Sequence, residues 1–219
     1  MRRHPVDARV IAPVPWFPFS HRRFGSYAQF AATPRHERRQ DGLQVSHPRY
    51  AMLPGIGMHF QPDSLARAAW ADVQALRRNG WTPDIVDAHY LYPDGVAAAR
   101  LAERLCVPFV MTARGTDVNV IAAIPGPGRR ILEAARQAAA VIAVSGPLKD
   151  RLVGLGVDPA KVTVLRNGVD GERFQPADRV AARARLGLPA HGRLLASVGN
   201  LLPVKGQALA IEALRELGD

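Results

Sequence analysis

Several residue types are scarce in this sequence, and each shortage excludes a class of protein. Cys106 is the only cysteine in 219 residues, which excludes an internal disulfide framework and fits a reducing compartment such as the cytoplasm. The longest stretch without Asp, Glu, Lys or Arg runs only from Tyr50 to Pro62, short of the roughly 18 residues that a membrane-spanning helix needs. Because 47% of the residues are hydrophobic, a disordered chain is excluded as well.

Lysine is also scarce, although the chain is strongly basic. Of its 29 basic residues only Lys149, Lys161 and Lys205 are lysines, and with 19 acidic residues the formal net charge is +10. This charge attracts polyanions such as nucleic acid, anionic lipid headgroups and phosphorylated substrates, and compositional drift toward arginine is the alternative explanation. There is no zinc-ligand spacing, no helix-turn-helix pattern and no interleaved basic-aromatic stripe, so we expect no specific nucleic-acid partner.

The order of the apolar segments predicts an α/β fold. Short apolar strands alternate with amphipathic helices, which indicates a Rossmann-like parallel sheet covered by helices on both faces. We predict strands at residues 8–14, 43–47, 85–88, 107–111, 140–144 and 162–165, and helices at 63–79, 94–105, 129–139 and 145–155. Residues 16–42 are aromatic, basic and interrupted by proline, so they are expected to be irregular.

The composition shifts after residues 167–168, which indicates a second domain. A linker around 174–176 precedes a small Ala/Arg helix, a predicted strand at 193–198, a loop at 199–206 and an amphipathic helix at 207–217. This pattern is typical of the start of a second Rossmann-like domain. We therefore predict one domain at residues 1–170 and the incomplete start of a second domain at 171–219.

Polar residues follow two neighbouring predicted strands of the first domain. His89 follows the strand at 85–88, and Arg114 to Asp117 follow the next strand. Ligands of open parallel sheets bind at the carboxyl ends of the strands, where imidazole can exchange a hydrogen bond and arginine can pair with an anion. The alternative for His89 is a structural histidine that is hydrogen-bonded to a loop carbonyl. The alternative for Arg114 to Asp117 is a polar turn that caps the following segment.

A third polar loop, at residues 199–206, joins a predicted strand to a helix. Its backbone N–H groups, the dipole of the following helix and Lys205 are suited to bind a diphosphate. Many strand-to-helix turns carry glycine and lysine, and the Walker A order is absent, so this loop alone is not specific.

Five segments taken together resemble family 4 glycosyltransferases. They are Asp-Ala-His-Tyr at residues 87–90, Thr-Ala-Arg-Gly-Thr-Asp at 112–117, and the segments 141–149, 162–176 and 197–206. Each motif is loose by itself, but five in the same order are specific, and the resemblance covers essentially the whole chain.

The resemblance implies a two-domain GT-B architecture, with residues 1–170 as the acceptor-side domain and residues 171–219 as the incomplete start of the donor-binding domain. It also implies retaining transfer of a sugar from a UDP- or GDP-linked donor to a glycan or lipid-linked acceptor. It implies cell-envelope polysaccharide synthesis without a metal or another cofactor. His89 is then catalytic, because the matching histidine lies at the sugar between the domains and stabilises an oxocarbenium-like state. The resemblance assigns substrate binding to Arg114, Gly115, Thr116, Asp117 and Asn167, and donor-diphosphate binding to Gly199, Asn200 and Lys205. The alternative for Asn167 is a turn on the hinge side of the domain that has no chemical role.

Three departures from the family pattern bear on activity. The family's first strand, glycine-rich loop and helix have no counterpart in this sequence, and neither has the family's later Glu-x7-Glu motif. We therefore expect a chain that is truncated at both ends and of doubtful activity. Loss of the first strand is expected to open the centre of the sheet. Asn200 also stands where many relatives have an arginine, which predicts weaker binding of the donor.

Rival interpretations belong to other classes of protein. One is a non-catalytic module that binds an anionic glycolipid or membrane through its arginines. Another is a different Rossmann nucleotide-binding protein, although GxGxxG follows no predicted strand. The third is a nucleic-acid binder that depends on net charge alone. The interpretation that we adopt is a cytoplasmic glycosyltransferase with peripheral contact at the inner face of the cell membrane.

Overall fold

The computed structural model describes residues 6–25, 27–38, 42–52 and 57–217. These residues belong to two compact units, one ending at Asn167 and the other beginning at Gly168. The division lies within three residues of the boundary predicted at residue 170, while the roles assigned to the two domains remain predictions. Each unit is described by itself.

The first unit contains nine strands and six α-helices within its described residues. The strands are β1 (Arg9–Ile11), β2 (Val14–Pro15), β3 (His36–Arg38), β4 (Gln44–Ser46), β5 (Arg49–Tyr50), β6 (Val86–His89), β7 (Phe109–Ala113), β8 (Ala140–Ala143) and β9 (Val162–Val164). The helices are α1 (Tyr27–Ala32), α2 (Gln61–Arg78), α3 (Val96–Leu105), α4 (Thr116–Asn119), α5 (Pro125–Gln137) and α6 (Gly146–Gly154).

The main sheet is parallel and has the order β6-β7-β8-β9. Its inner strands are apolar on both faces because helices cover them, and Met111 of β7 and Val141 of β8 are completely buried. Ile131 of α5 and Leu152 of α6 are buried in the same core. The predicted α/β class with a Rossmann-like parallel sheet is therefore confirmed.

The remaining strands form two small sheets, β1-β4-β3 and β2-β5. Strand β1 pairs in parallel with β4, and β3 pairs antiparallel with β4. The prediction that residues 16–42 are irregular was wrong for α1 and β3. Strands β1 and β6 each lie at an end of their sheets, so in the described residues one edge of each is unpaired.

One helix boundary also differs from the prediction. Helix α5 begins at Pro125, four residues before the predicted start at residue 129, and includes the Pro-Gly-Pro-Gly stretch. Proline is tolerated in the first helical turn because the N–H that it lacks would have no partner there. The first-turn prolines therefore belong to the helix.

The second unit contains α7 (Arg179–Arg185) and α8 (Gln207–Leu217) in its described residues. The predicted strand at 193–198 was wrong: these residues form no strand, and Val198 is 98% exposed. A strand needs a neighbour for its backbone hydrogen bonds, and the described part of this unit has no other strand. The two predicted helices are confirmed.

Candidate active site

The ends of β6 and β7 place the first two predicted site segments side by side. The two strands are parallel and His89 pairs in register with Thr112, so both chains leave the sheet at the same edge. The backbone N–H of Tyr90 donates to the carbonyl of Thr112 at 2.9 Å, which fixes the start of the loop after β6. The sheet register thus brings His89 next to the loop that begins at Arg114.

The Arg114 guanidinium connects two other predicted site residues. Its Nη2 lies in hydrogen-bond contact with Nδ1 of His89, and its Nη1 donates to Oδ1 of Asn167 at 3.1 Å. Nε2 of His89 lies 3.4 Å from Oδ2 of Asp87, so the ring has polar partners on both sides. The His89 side chain is 58% exposed, which leaves this cluster accessible from solvent. Three residues far apart in sequence therefore form one exposed polar cluster.

Asp117 takes part in the same region from inside the protein. Its side chain is completely buried. Oδ1 accepts hydrogen bonds from the backbone N–H groups of Gly115 at 2.7 Å, Arg114 at 3.1 Å and Val118 at 3.1 Å, and Oδ2 accepts one from Leu91 at 2.9 Å. The carboxylate therefore holds together the loops that carry His89 and Arg114. This geometry assigns it to positioning, and the predicted contact of Asp117 with substrate has no support in it.

Gly115 and Thr116 form the turn between β7 and α4. Gly115 has φ +130°, a conformation that side chains rarely adopt, and a Cβ there would meet no atom within 4 Å. The glycine is therefore required by its backbone conformation. Thr116 is the first residue of α4.

Two acidic residues near His89 were not predicted as site residues. One is Asp87, on the strand itself. The other is Asp94, whose pKa burial raises to about 6, against smaller lowering effects of a backbone hydrogen bond and of His89. Asp94 also raises the pKa of Tyr50, after the larger effect of burial. The position of Asp94, after a proline and close behind the His89 segment, could have suggested a site residue. The burial of its carboxyl group is not visible in the sequence.

The predicted diphosphate loop lies in the second unit and is folded locally. Residues Pro203–Lys205 form a short 3-10 turn, and Gly206 follows with φ +70°. Gln207 Nε2 donates to the carbonyl of Asn200 at 3.1 Å. A Cβ at Gly199 would lie 3.8 Å from the alkyl chain of Lys205. The structure thus brings Gly199, Asn200 and Lys205 together in one exposed loop.

A groove of about 490 Å³ lies elsewhere in the first unit, between the β1-β4-β3 sheet and α2. Its lining includes Ile11, Glu37 and Asp72, and no predicted site residue belongs to it. The candidate site is therefore the exposed cluster at the carboxyl ends of β6 and β7 and not this groove. Of the helices in the described part of the chain, none combines the length and apolar content that crossing a bilayer requires.

Comparison with solved structures shows that the fold is of the GT-B type. The structure of Anabaena HepE in complex with UDP-glucose matches with a TM-score of 0.60 at 21% identity, over 88% of this chain and 47% of HepE. A sucrose-phosphate synthase from Thermosynechococcus elongatus matches with a TM-score of 0.50 at 15% identity, over 72% of this chain and 40% of that one.

Sequence comparison then gives the family. Residues 27–173 match the model of Glycosyltransferase Family 4, and the chain belongs to that family. TuaC of Bacillus subtilis, whose name assigns it to teichuronic acid biosynthesis as a glycosyltransferase, is 33% identical over 98% of this chain and 55% of TuaC. The D-inositol 3-phosphate glycosyltransferase of Acidothermus cellulolyticus is 35% identical over 68% of this chain and 35% of its own length. The chain thus spans about a third to just over half of these relatives.

Proposed function

We propose that this chain contributes to a retaining glycosyltransferase, which moves a sugar from a UDP- or GDP-linked donor to a glycan or lipid-linked acceptor. The observation that carries the proposal is the exposed cluster in which Arg114 contacts both His89 and Asn167. Its position at the carboxyl ends of β6 and β7 is where open parallel sheets bind ligands. The family membership supports the reaction class.

The chemistry of the proposed reaction requires two kinds of group. As the bond between the anomeric carbon and the diphosphate breaks, positive charge develops on the sugar and negative charge on the leaving group. His89, oriented by Arg114, is proposed to lie at the sugar, where a polar ring stabilises the oxocarbenium-like state. Lys205 and the backbone of its loop are proposed to bind the diphosphate, where a cation lowers the energy of the departing anion. In this proposal the reaction uses no metal ion and no resident cofactor.

The acceptor and the location belong to the same proposal. The name of TuaC supports a cell-envelope polysaccharide as the acceptor class. We place the enzyme in the cytoplasm, in peripheral contact with the inner face of the membrane, where the net charge of +10 favours anionic lipid. The rival interpretation as a non-catalytic binding module is not favoured, because the relatives are named as glycosyltransferases.

Calorimetric titration with UDP and with GDP tests the donor site directly. We expect one nucleotide to bind, and Lys205→Ala to raise its Kd by about 10- to 100-fold, since a hydrogen bond to a charged group contributes roughly 1.5–3 kcal/mol. Lys149→Ala is the matched control, because it removes a lysine of α6 in the other unit and should leave the Kd unchanged. Binding that is identical in wild type and Lys205→Ala would contradict the assigned diphosphate loop.

Release of UDP or GDP from the corresponding nucleotide sugars tests the reaction. We expect His89→Ala to reduce the rate of hydrolysis or transfer at least 100-fold while the Kd for the nucleotide changes less than threefold, because the ring is assigned to the sugar. Asp158→Ala, a surface substitution in the same unit, serves as control. If the chain binds a nucleotide but His89→Ala keeps the wild-type rate, His89 is not catalytic.

A further inference from the structure

An exposed group of aromatic side chains lies between β2 and the end of α1. Phe17, Phe19, Phe24 and Tyr27, which we call the aromatic cluster, pack against one another with ring centroids 5.0–6.0 Å apart. Phe19 is 53% exposed and Tyr27 is 45% exposed, and neighbouring Trp16 is 61% exposed. Aromatic side chains grouped in this way on a surface mark an interaction site, because exposed apolar area of this kind is unfavourable in water.

The charge around the aromatic cluster has one sign. From Ala8 to His36 the sequence contains four arginines and no Asp or Glu. Arg22 and Arg23 are exposed, and neither forms an ion pair with any residue that the structure describes. The Arg23 guanidinium lies 5.6 Å from the Phe24 ring centroid, so the cationic and apolar groups share one surface.

This combination fits an anionic lipid surface. Phenylalanine rings enter the acyl region, tryptophan and tyrosine prefer the headgroup level, and arginine pairs with lipid phosphate. Nucleic acid is a poorer match, because bases need free ring faces for stacking and Phe19 and Phe24 already stack on each other at 5.0 Å. The short 3-10 turn Arg22–Phe24, at whose start His21 accepts a hydrogen bond from the Arg23 N–H, holds the arginines next to the rings.

We infer that the aromatic cluster, together with Trp16, Arg22 and Arg23, is the surface by which this chain docks on an anionic membrane. The inference deepens the proposed function by naming the surface of the peripheral contact, and it rests on that function only for the choice of partner. Docking at this surface would keep the chain at the membrane whether or not a nucleotide sugar is bound.

Co-sedimentation with lipid vesicles tests the inference. Vesicles of phosphatidylcholine alone are compared with vesicles that contain about one third phosphatidylglycerol, at low and at moderate salt. We expect binding to the anionic vesicles only, reduced at least tenfold in Phe19→Ser/Phe24→Ser and at least tenfold in Arg22→Gln/Arg23→Gln. Unchanged circular dichroism and urea midpoints show that the variants are folded.

The second unit offers a matched control. Arg173 lies 5.7 Å from the ring centroid of Phe174, which is 66% exposed, so this pair reproduces the chemistry of Arg23 and Phe24 at another place. Arg173→Gln/Phe174→Ser should bind vesicles like the wild type. The inference is overturned if the wild type does not bind anionic vesicles, if the control variant loses as much binding as the cluster variants, or if double-stranded DNA is bound equally well and only the arginine variant matters. Titration with UDP in the absence of lipid reports separately on the proposed transferase.

Discussion

The Asp117 carboxylate accepts a hydrogen bond from the Leu91 backbone N–H at 2.9 Å, across 26 positions of sequence. Leu91 follows the strand that ends at His89, while Asp117 follows the strand that precedes Arg114. Because the carboxylate is completely buried, its charge is compensated by these backbone donors and not by water. The spacing between His89 and Arg114 therefore depends on one buried side chain, which accepts hydrogen bonds from the backbone N–H groups of Leu91 and Arg114.

Replacement of this carboxylate tests its structural role. Asp117→Asn places an amide NH₂ among backbone N–H donors, so at least one buried hydrogen bond is lost and donors face each other. We expect the free energy of unfolding of the first unit to fall by about 2–4 kcal/mol, measured by urea denaturation. The control Asp158→Asn alters an exposed carboxylate that accepts one hydrogen bond from Ala160 N–H, and should cost less than about 1 kcal/mol. Equal losses in the two variants would contradict the role given to Asp117.

The conformation of Gly115 gives a second prediction. Since a Cβ at this position meets no atom within 4 Å but φ is +130°, Gly115→Ala introduces backbone strain without a steric clash. We expect a loss of about 1–3 kcal/mol in thermal or urea unfolding. Gly146→Ala is the control, because this glycine begins α6 with open space around it and an ordinary φ. A Gly115→Ala protein as stable as the wild type would show that the turn accepts another conformation.

Prediction from the sequence was most accurate where burial on both faces leaves only apolar residues. Strands β6 to β9 were predicted within two residues at each end, since helices cover both faces of this parallel sheet. It was least accurate where pairing partners decide the outcome. Residues 193–198 have the composition of a strand but no strand beside them, and β3, with exposed residues throughout, forms only because β4 is next to it.

The candidate site was predictable as a set of residues but not as a set of roles. Parallel strand order alone brings His89 and Arg114 to the same edge of the sheet. Whether a carboxylate is exposed or buried depends on packing from distant parts of the chain, so neither the enclosure of Asp117 nor the raised pKa of Asp94 was foreseen. Asp117 lies within one of the motifs that pointed to the site, and Asp94 lies four residues after the other.

Arg183 holds together the region after α7 in the second unit. Arg183 is 9% exposed, and its guanidinium donates to the carbonyls of Pro189 at 3.0 Å, Ala190 at 3.1 Å and Gly192 at 2.9 Å. Arg183→Lys cannot reproduce this fork, so we expect the Leu188 amide, which donates to the Arg183 carbonyl, to exchange its hydrogen about 5- to 100-fold faster. The exposed Arg185→Lys on the same helix is the control. Unchanged exchange at Leu188 in Arg183→Lys would contradict the role assigned to the guanidinium.

The raised pKa of Asp94 predicts a stability that depends on pH. Burial raises this pKa from 3.8 to about 6, so the folded state binds the proton more tightly than the unfolded state. The contribution of protonated Asp94 to the free energy of unfolding is therefore fully present below about pH 4. It is lost as the pH rises through 6, because the buried carboxyl group then becomes charged. Asp94→Asn removes the charge, so we expect it to be more stable than the wild type by about 1–3 kcal/mol at pH 8 and equally stable at pH 4. Urea denaturation at both pH values measures the difference, with Asp87→Asn as the exposed control. A difference between Asp94→Asn and wild type that is the same at pH 4 and pH 8 would show that the effect comes from packing and not from ionisation.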